Sequence, residues 1–177
     1  MKKSRIFIFF IIALILSNCI SHKIYSGALL NKKDTYVYIY SDCHSKNVID
    51  SVILSYDLKK ESLPIISVKC IKDGYAYIFV EEFGSDNGIK KDGWVRVENL
   101  SIRAISSKDN GIVYLRIIPD RQATIIDSIL ITDWNQLYPI KNFKNNWFLI
   151  EKQNADGSST CGWIAPEDQD SGYTPSC

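Results

Sequence analysis

The feature that most constrains the fold is an internal repeat with a period of about 75 residues. Four matched segments occur in the same order in both halves of the chain. They are 37–40 with 113–116, 48–53 with 125–130, 72–75 with 144–147, and 92–95 with 161–164. This period is too long for one unit of a solenoid and suits a small domain. The sequence therefore predicts two domains, residues 34–104 and 111–168, joined by the short polar segment 108–111.

Short strands broken by turns are predicted throughout both repeats. Alternation of side-chain type in residues 36–40 and 113–116 places aliphatic side chains on one face of the first strand of each repeat. The opposite face carries Tyr36, Tyr38 and Tyr40 in the first repeat and Tyr114 and Arg116 in the second. Because no stretch of helical periodicity follows the N-terminal segment, the predicted fold class is all-β.

The N-terminal segment 1–18 resembles the signal peptide of a bacterial lipoprotein. Three basic residues among the first five precede the uncharged apolar run 6–16, and Leu-Ser-Asn-Cys at 16–19 is similar to the sequence cleaved before a lipid-modified cysteine. The resemblance implies acylation of Cys19, with palmitate among the attached chains, and a linker over residues 19–33. We therefore expect a protein of the cell envelope, anchored by lipid at the periplasmic face of the outer membrane.

Two other roles for this N-terminal segment stay open. A retained transmembrane anchor needs about 20 apolar residues, whereas the run 6–16 holds 11. Ordinary secretion needs a site of the small-x-small type, and no such site before residue 30 competes well with Cys19.

The charge balance argues against a nucleic-acid partner. Three of the 21 Lys and Arg residues precede Cys19, so the cleaved chain keeps 18 basic and 20 acidic residues and carries a formal charge of −2. Nucleic-acid binding depends on clustered basic residues that neutralise phosphates, and the sequence contains no basic stripe. The membrane, reached through the lipid anchor, is the partner that the sequence predicts first.

Acylation of Cys19 would leave an even number of cysteines in an exported, oxidising compartment. Two disulfides are then predicted among Cys43, Cys70, Cys161 and Cys177. Of the three possible pairings we favour Cys43–Cys70 and Cys161–Cys177, because each closes a moderate loop within one repeat.

The sequence predicts neither a catalytic site nor a cofactor. The two histidines, His22 and His44, have no evident nucleophile or carboxylate partner, and no serine lies in a Gly-x-Ser-x-Gly turn. A metal site at Cys43 and His44 is an alternative to the disulfide. The sequence does not favour it, because there is no Cys-x-x-Cys pair and His22 is the only other histidine.

The motifs of the second repeat resemble those of bacterial SH3 (SH3b) domains. Leu115-Arg116 followed by Pro119 matches the first strand and turn of that family, and the Asn-Trp strand at 146–150 matches its middle strand. Gly-Trp-Ile-Ala-Pro-Glu at 162–167 matches its end. The first repeat keeps Gly-Trp-Val at 93–95 but departs from the pattern elsewhere.

The SH3b resemblance implies two small, strongly bent β-barrels in tandem, followed by a tail at 169–177. It also implies that a groove near the first strand and the Gly-Trp turn binds peptides or cell-wall components. The candidate binding residues are Tyr38, Tyr40 and Tyr75 in the first repeat, and Tyr114, Arg116 and Trp147 in the second. Trp94 and Trp163 are assigned to packing instead.

Two functions follow from this interpretation. The preferred one is a noncatalytic, lipid-anchored envelope protein whose SH3b-like domains bind a protein partner or a peptidoglycan component. The alternative is a structural or scaffolding lipoprotein without a ligand groove, in which the aromatic side chains cover the ends of each core or fill the interface between the repeats.

Overall fold

The computed structural model describes residues 26–30, 36–53, 64–82, 90–106, 110–133 and 136–170. The predicted signal peptide, Cys19, His22 and Cys177 lie outside these ranges. Within them, no helix is long and apolar enough to cross a membrane.

The described part of the chain is all-β, as the sequence predicts. It contains thirteen strands, which pair antiparallel. The strands are β1 (Ser26–Leu30), β2 (Tyr36–Tyr40), β3 (Val48–Ile53), β4 (Pro64–Lys72), β5 (Tyr75–Glu82), β6 (Lys90–Arg96), β7 (Leu100–Ala104), β8 (Ile112–Arg116), β9 (Ile125–Leu130), β10 (Leu137–Lys144), β11 (Trp147–Gln153), β12 (Ser159–Ile164) and β13 (Gln169–Asp170). Short 3₁₀ turns at Val97–Asn99 and Pro166–Asp168 precede β7 and β13.

The strand order shows the repeat directly. The hydrogen-bonded order is β3-β2-β6-β5-β4-β1-β7-β10-β11-β12-β8-β9, and β13 pairs with β7. The order β3-β2-β6-β5-β4 of the first half therefore recurs as β9-β8-β12-β11-β10 in the second half. Each half consists of a hairpin and a three-stranded meander, joined where the first strand of the hairpin pairs with the last strand of the meander.

Strand β7 belongs to both repeats. As the last strand of the first repeat it pairs with β1, and as the first strand of the second repeat it pairs with β10. The register is also repeated. Leu30, the last residue of β1, pairs with Leu100, the first residue of β7. In the same way Ala104, the last residue of β7, pairs with Gln169, the first residue of β13. Segments predicted to be a linker (19–33) and a tail (169–177) thus contribute strands β1 and β13. Their partners are distant in sequence, so local patterns gave no signal for them.

Irregularities of the strands also recur in pairs. The β2–β3 register shifts between Ile39 and Tyr40, and the β8–β9 register shifts between Leu115 and Arg116. A second pair of shifts lies at equivalent places in β4–β5 and β10–β11. Bulges bend a strand and increase its twist, so both halves of the sheet curve in the same places.

The Gly-Trp motif of each repeat marks a close crossing of strands. Gly93 pairs with Ile78 on β5, and a Cβ atom built on it would lie 2.4 Å from Ile39 Cγ2. A Cβ atom on Gly162 would lie 2.6 Å from Leu115 Cβ, at the equivalent place in the second repeat. Glycine is therefore required because β2 and β8 pass too close for any side chain.

One hydrophobic core runs through both repeats. It contains aliphatic side chains from both hairpins and both meanders, together with Leu100, Ile102 and Ala104 of β7. In β2 the predicted alternation is confirmed, since Val37 and Ile39 are buried whereas Tyr36 and Tyr38 are exposed. The core thus lies on one side of β2, and the tyrosines on the other.

In each repeat a lysine side chain bonds to an Asp-Ser pair, but the lysine comes from strands that are not equivalent in the two repeats. Lys91 of β6 donates to Asp50 Oδ1 at 3.0 Å and to the Ser51 carbonyl at 2.8 Å. Lys152 of β11 donates to Asp127 Oδ1 at 2.8 Å and to the Ser128 carbonyl at 2.7 Å. The ion pair is therefore retained at the bulged strand, although the strand that supplies the lysine has changed.

We expect Asp127→Asn to destabilise the protein by about 1 kcal/mol at pH 7. Partial burial raises the pKa of Asp127, but the Lys152 ammonium and the Ser128 N–H outweigh it and hold the pKa below the ordinary value of 3.8. The stabilisation is therefore fully present above pH 3.8 and is lost as the pH falls through the lower pKa of the folded state. Urea unfolding at pH 7 and at decreasing pH below 4 measures the difference.

Asp50→Asn is the matched control for this prediction. Asp50 is 43% exposed, against 22% for Asp127, so the loss at pH 7 should be smaller. A gap between wild type and Asp127→Asn that stays constant down to pH 2 would contradict the assignment.

Candidate functional site

Aromatic side chains gather on the solvent side of the first repeat. Tyr40 pairs with Trp94, and Trp94 pairs with Tyr77, so these three side chains emerge from the same face of β2, β6 and β5. Alternation along β2 and β5 adds four more to this face. The set, here called the aromatic face, comprises Tyr36, Tyr38, Tyr40, Tyr75, Tyr77, Phe79 and Trp94.

Ring contacts hold the centre of the aromatic face in place. The rings of Tyr77 and Trp94 lie 5.4 Å apart at 65°, and those of Tyr40 and Tyr75 lie 5.9 Å apart at 90°. These are the edge-to-face geometries that aromatic pairs prefer. The Tyr77 hydroxyl donates to the Asp92 carboxylate, and this hydrogen bond raises the pKa of Tyr77. Contacts within the protein thus preorganise the centre of the aromatic face.

The edge of the aromatic face is accessible. Tyr36 is 62% exposed and Tyr38 is 53% exposed, whereas the other five rings are half-buried. Asp92 and Arg96 lie on either side of Trp94 at alternate positions of β6 and share its face. Flat apolar rings beside a carboxylate and a guanidinium suit a ligand that has both apolar faces and polar groups, such as a sugar or a peptide.

The equivalent surface of the second repeat is less aromatic. Tyr114 and Trp163 are half-buried, and Trp147 is buried with 7% of its surface exposed. The Arg116 guanidinium donates to the Ala123 carbonyl at 2.6 Å. Leu149 stands at the position of Tyr77. Arg116 therefore braces the loop between β8 and β9, and the predicted trio Tyr114, Arg116 and Trp147 forms no exposed aromatic surface.

A groove in the second repeat lies beside Trp147. It has a volume of about 710 Å³ and is lined by Pro119, Asp120, Arg121, Gln122, Asn145, Asn146, Trp147 and Pro166. At one border the Arg121 guanidinium makes two hydrogen bonds of 3.1 Å to Glu167, and these lower the pKa of that carboxyl. The groove lies where the β8–β9 loop approaches the β10–β11 turn.

Three of the four cysteines predicted to form disulfides lie in the described part of the chain. Cys43, Cys70 and Cys161 are free thiols in the structure, so the bridge Cys43–Cys70 is not formed. Cys43 is buried in the loop after β2, close to the β4–β5 turn, whereas Cys70 is exposed on β4 opposite Tyr77. The pairing Cys161–Cys177 stays a prediction because Cys177 lies outside the described residues.

Sequence reasoning named part of the aromatic face. It proposed Tyr38, Tyr40 and Tyr75, which the structure places together, but it did not propose Tyr77 or Phe79. Their signal was available, since positions 75, 77 and 79 alternate along one strand and all are aromatic. Trp94, which the sequence assigned to packing, is half-buried at the centre of this face.

Comparisons with known proteins do not assign the chain to a family. No protein-family model matches it, and no curated protein matches it significantly. The likeness to SH3b domains rests on the short motifs quoted above.

Proposed function

We propose that the protein is a noncatalytic, lipid-anchored protein of the bacterial cell envelope that binds a peptidoglycan component through the aromatic face. In this proposal the two repeats are SH3b-like domains, the first of which carries the ligand. The proposed anchor is acylated Cys19, supported by the N-terminal motif alone.

The aromatic face is the observation that carries this proposal. Seven aromatic side chains on one face of three neighbouring strands are unusual for a surface that only meets water, and two of them are more than half exposed. Tyrosine and tryptophan are also the residues that most often contribute large binding energies, because a rigid ring offers area at low entropic cost. The charged pair Asp92 and Arg96 adds groups that orient a polar ligand.

Peptidoglycan fits this surface by its chemistry. Its sugars have apolar ring faces that stack on flat aromatics, and its peptides carry charged groups that complement Asp92 and Arg96. A lipid-anchored chain in the envelope would meet this polymer continuously, so a modest affinity would suffice.

We expect Tyr36→Ala/Tyr38→Ala to lower retention on purified peptidoglycan by about 10-fold or more, since each binding aromatic typically contributes more than about 1 kcal/mol. The two rings are the most exposed of the face, so their removal should leave the fold intact. The measurement is a pull-down of the full chain, extracted in detergent, with insoluble peptidoglycan.

Ile117→Ala/Ile118→Ala is the matched control. These side chains are 58% and 53% exposed, and they lie in the second repeat, away from the aromatic face. Equal retention of the two double variants would exclude the aromatic face as the binding surface. No retention of the wild type on peptidoglycan would favour the structural lipoprotein. If the wild type instead bound a protein in a parallel pull-down from envelope extract, a protein partner would be favoured.

A further inference from the structure

Three side chains of different chemistry meet where the β2–β3 loop touches the β4–β5 turn. They are Cys43 and His44 of the loop and Asp73 of the turn, and their ligand atoms all lie within 4.8 Å of one another. Thiolate, imidazole and carboxylate are the three groups with which proteins bind zinc. The junction therefore brings together three groups of the kinds that bind zinc, from two segments 29 residues apart.

Hydrogen bonds order the β2–β3 loop, and a tight turn positions Asp73. The Ser41 N–H donates to the Asn47 carbonyl at 3.2 Å and closes the loop. Within it, the His44 N–H donates to Asp42 Oδ1 at 2.8 Å. Asp73 and Gly74 have positive φ values of 51° and 78°, as a tight two-residue hairpin turn requires. The three ligand groups thus project from a hydrogen-bonded loop and from the turn that closes the pair Lys72–Tyr75.

The spacing of the histidine and aspartate ligand atoms suits a tetrahedral ion. His44 Nε2 lies 3.6 Å from Asp73 Oδ2. In a tetrahedral zinc site with Zn–N and Zn–O bonds of about 2.0–2.1 Å, these two atoms would stand about 3.3–3.4 Å apart. A movement of a few tenths of an ångström would bring them to that distance.

Burial within the trio is graded. Cys43 is buried, whereas the side chains of His44 and Asp73 are 69% and 55% exposed. With the Cys43 thiolate on the buried side of an ion, and His44 and Asp73 on the exposed side, a fourth coordination position would face solvent.

The second repeat provides an internal comparison. Its groove is the same junction of hairpin loop and turn, but Pro119, Asp120, Arg121 and Gln122 line the loop side, and Asn145 stands where Asp73 does. These lining residues include the carboxylate of Asp120 but no thiol and no imidazole. Among the residues that the structure describes, the combination of thiol, imidazole and carboxylate therefore occurs at this junction in the first repeat and not in the second.

We propose that Cys43, His44 and Asp73 bind a zinc ion, with the fourth position open to water or to a donor from outside the chain. Borderline-soft divalent metals fit a mixed sulfur, nitrogen and oxygen set better than magnesium or calcium does. The site lies just after β2 and β4, within three residues of Tyr40 and Tyr75 of the aromatic face, but its existence does not depend on the proposed function.

Metal titration of the full chain tests this site. The chain is extracted in detergent, stripped of metal and kept reduced, then titrated with Zn²⁺ by calorimetry and with Co²⁺ by absorption. We expect one tight site, the visible bands of tetrahedral Co²⁺, and a thiolate-to-cobalt charge-transfer band. Octahedral Co²⁺ without the charge-transfer band would overturn the proposal.

Substitutions assign the ligands. His44→Ala should weaken Zn²⁺ binding by at least about 10–100-fold, the loss that even an outer-shell partner produces. His22→Ala, which removes the only other histidine of the chain, should leave binding unchanged. Equal affinity of both variants would overturn the proposal.

Two further variants complete the assignment. Asp73→Asn gives the junction the turn residue of the second repeat and tolerates the positive φ, so it should weaken binding without unfolding the turn. Cys43→Ser should abolish the charge-transfer band, whereas Cys70→Ser should retain it. Should the buried Cys43→Ser fail to fold, the exposed His44 and Asp73 variants decide. Retention of full affinity by both would refute the site.

Discussion

Replacement of Gly93 by alanine is expected to destabilise the protein by about 2–6 kcal/mol. Overpacking accounts for about 1–3 kcal/mol, because the new Cβ would lie 2.4 Å from Ile39 Cγ2 and 3.0 Å from the Tyr40 carbonyl oxygen. Backbone strain adds about 1–3 kcal/mol, because the φ of Gly93 is +151°. Since whole domains are stable by only about 5–15 kcal/mol, urea unfolding followed by tryptophan fluorescence should show a large shift of the midpoint.

Two other glycines separate the two causes. Gly162→Ala meets the crowding alone, with its Cβ 2.6 Å from Leu115 Cβ, and should cost about 1–3 kcal/mol. Gly157→Ala meets strain alone, since its φ is +84° and no atom lies within 4 Å, and should cost about 1–2 kcal/mol. If Gly93→Ala cost no more than Gly157→Ala, the close crossing of strands would not explain the Gly-Trp motif.

Truncation of Ile102 to alanine is expected to destabilise both repeats together, by about 2–5 kcal/mol. Ile102 is fully buried in β7, the strand that completes the first repeat and begins the second. A cavity there weakens contacts that both repeats share. Two single-tryptophan proteins, one keeping Trp94 and the other Trp163, report each repeat separately, and their unfolding midpoints should coincide before and after the substitution.

Ile125→Ala is the control for this cooperative unfolding. Ile125 is 46% exposed on β9, so its truncation should change stability by no more than about 0.5 kcal/mol. Separate midpoints for Trp94 and Trp163 would mean that the repeats unfold independently despite the shared strand.

Much of the architecture could be predicted from local pattern and internal similarity. Alternation along β2 gave the buried and exposed faces, and the matched segments fall on equivalent strands of the two halves. The double use of β7 could not be predicted. The alternation of side chains along a strand shows which face is buried, but it does not show which strands lie on either side of it. The segments that form β1 and β13 were therefore predicted to be a linker and a tail.

The candidate site was predictable where it depended on one strand and not where it depended on loops. Tyr38 and Tyr40 follow from alternation in β2. The bond from Arg116 to the Ala123 carbonyl depends on how the β8–β9 loop folds back, which no pattern in the sequence specifies. The approach of Asp73 to Cys43 and His44 likewise depends on two loops meeting, and so only the adjacent pair Cys43 and His44 could be predicted as ligands.

The shared strand gives a rule by which further repeats could be added to this architecture. The first unit uses seven strands, β1 to β7, and the second adds only six, because it inherits its first strand from its predecessor. A further copy built by the same rule would start on β13, as the second starts on β7. Growth of such an array requires no hinge between copies, because each junction is itself a hydrogen-bonded strand inside the sheet.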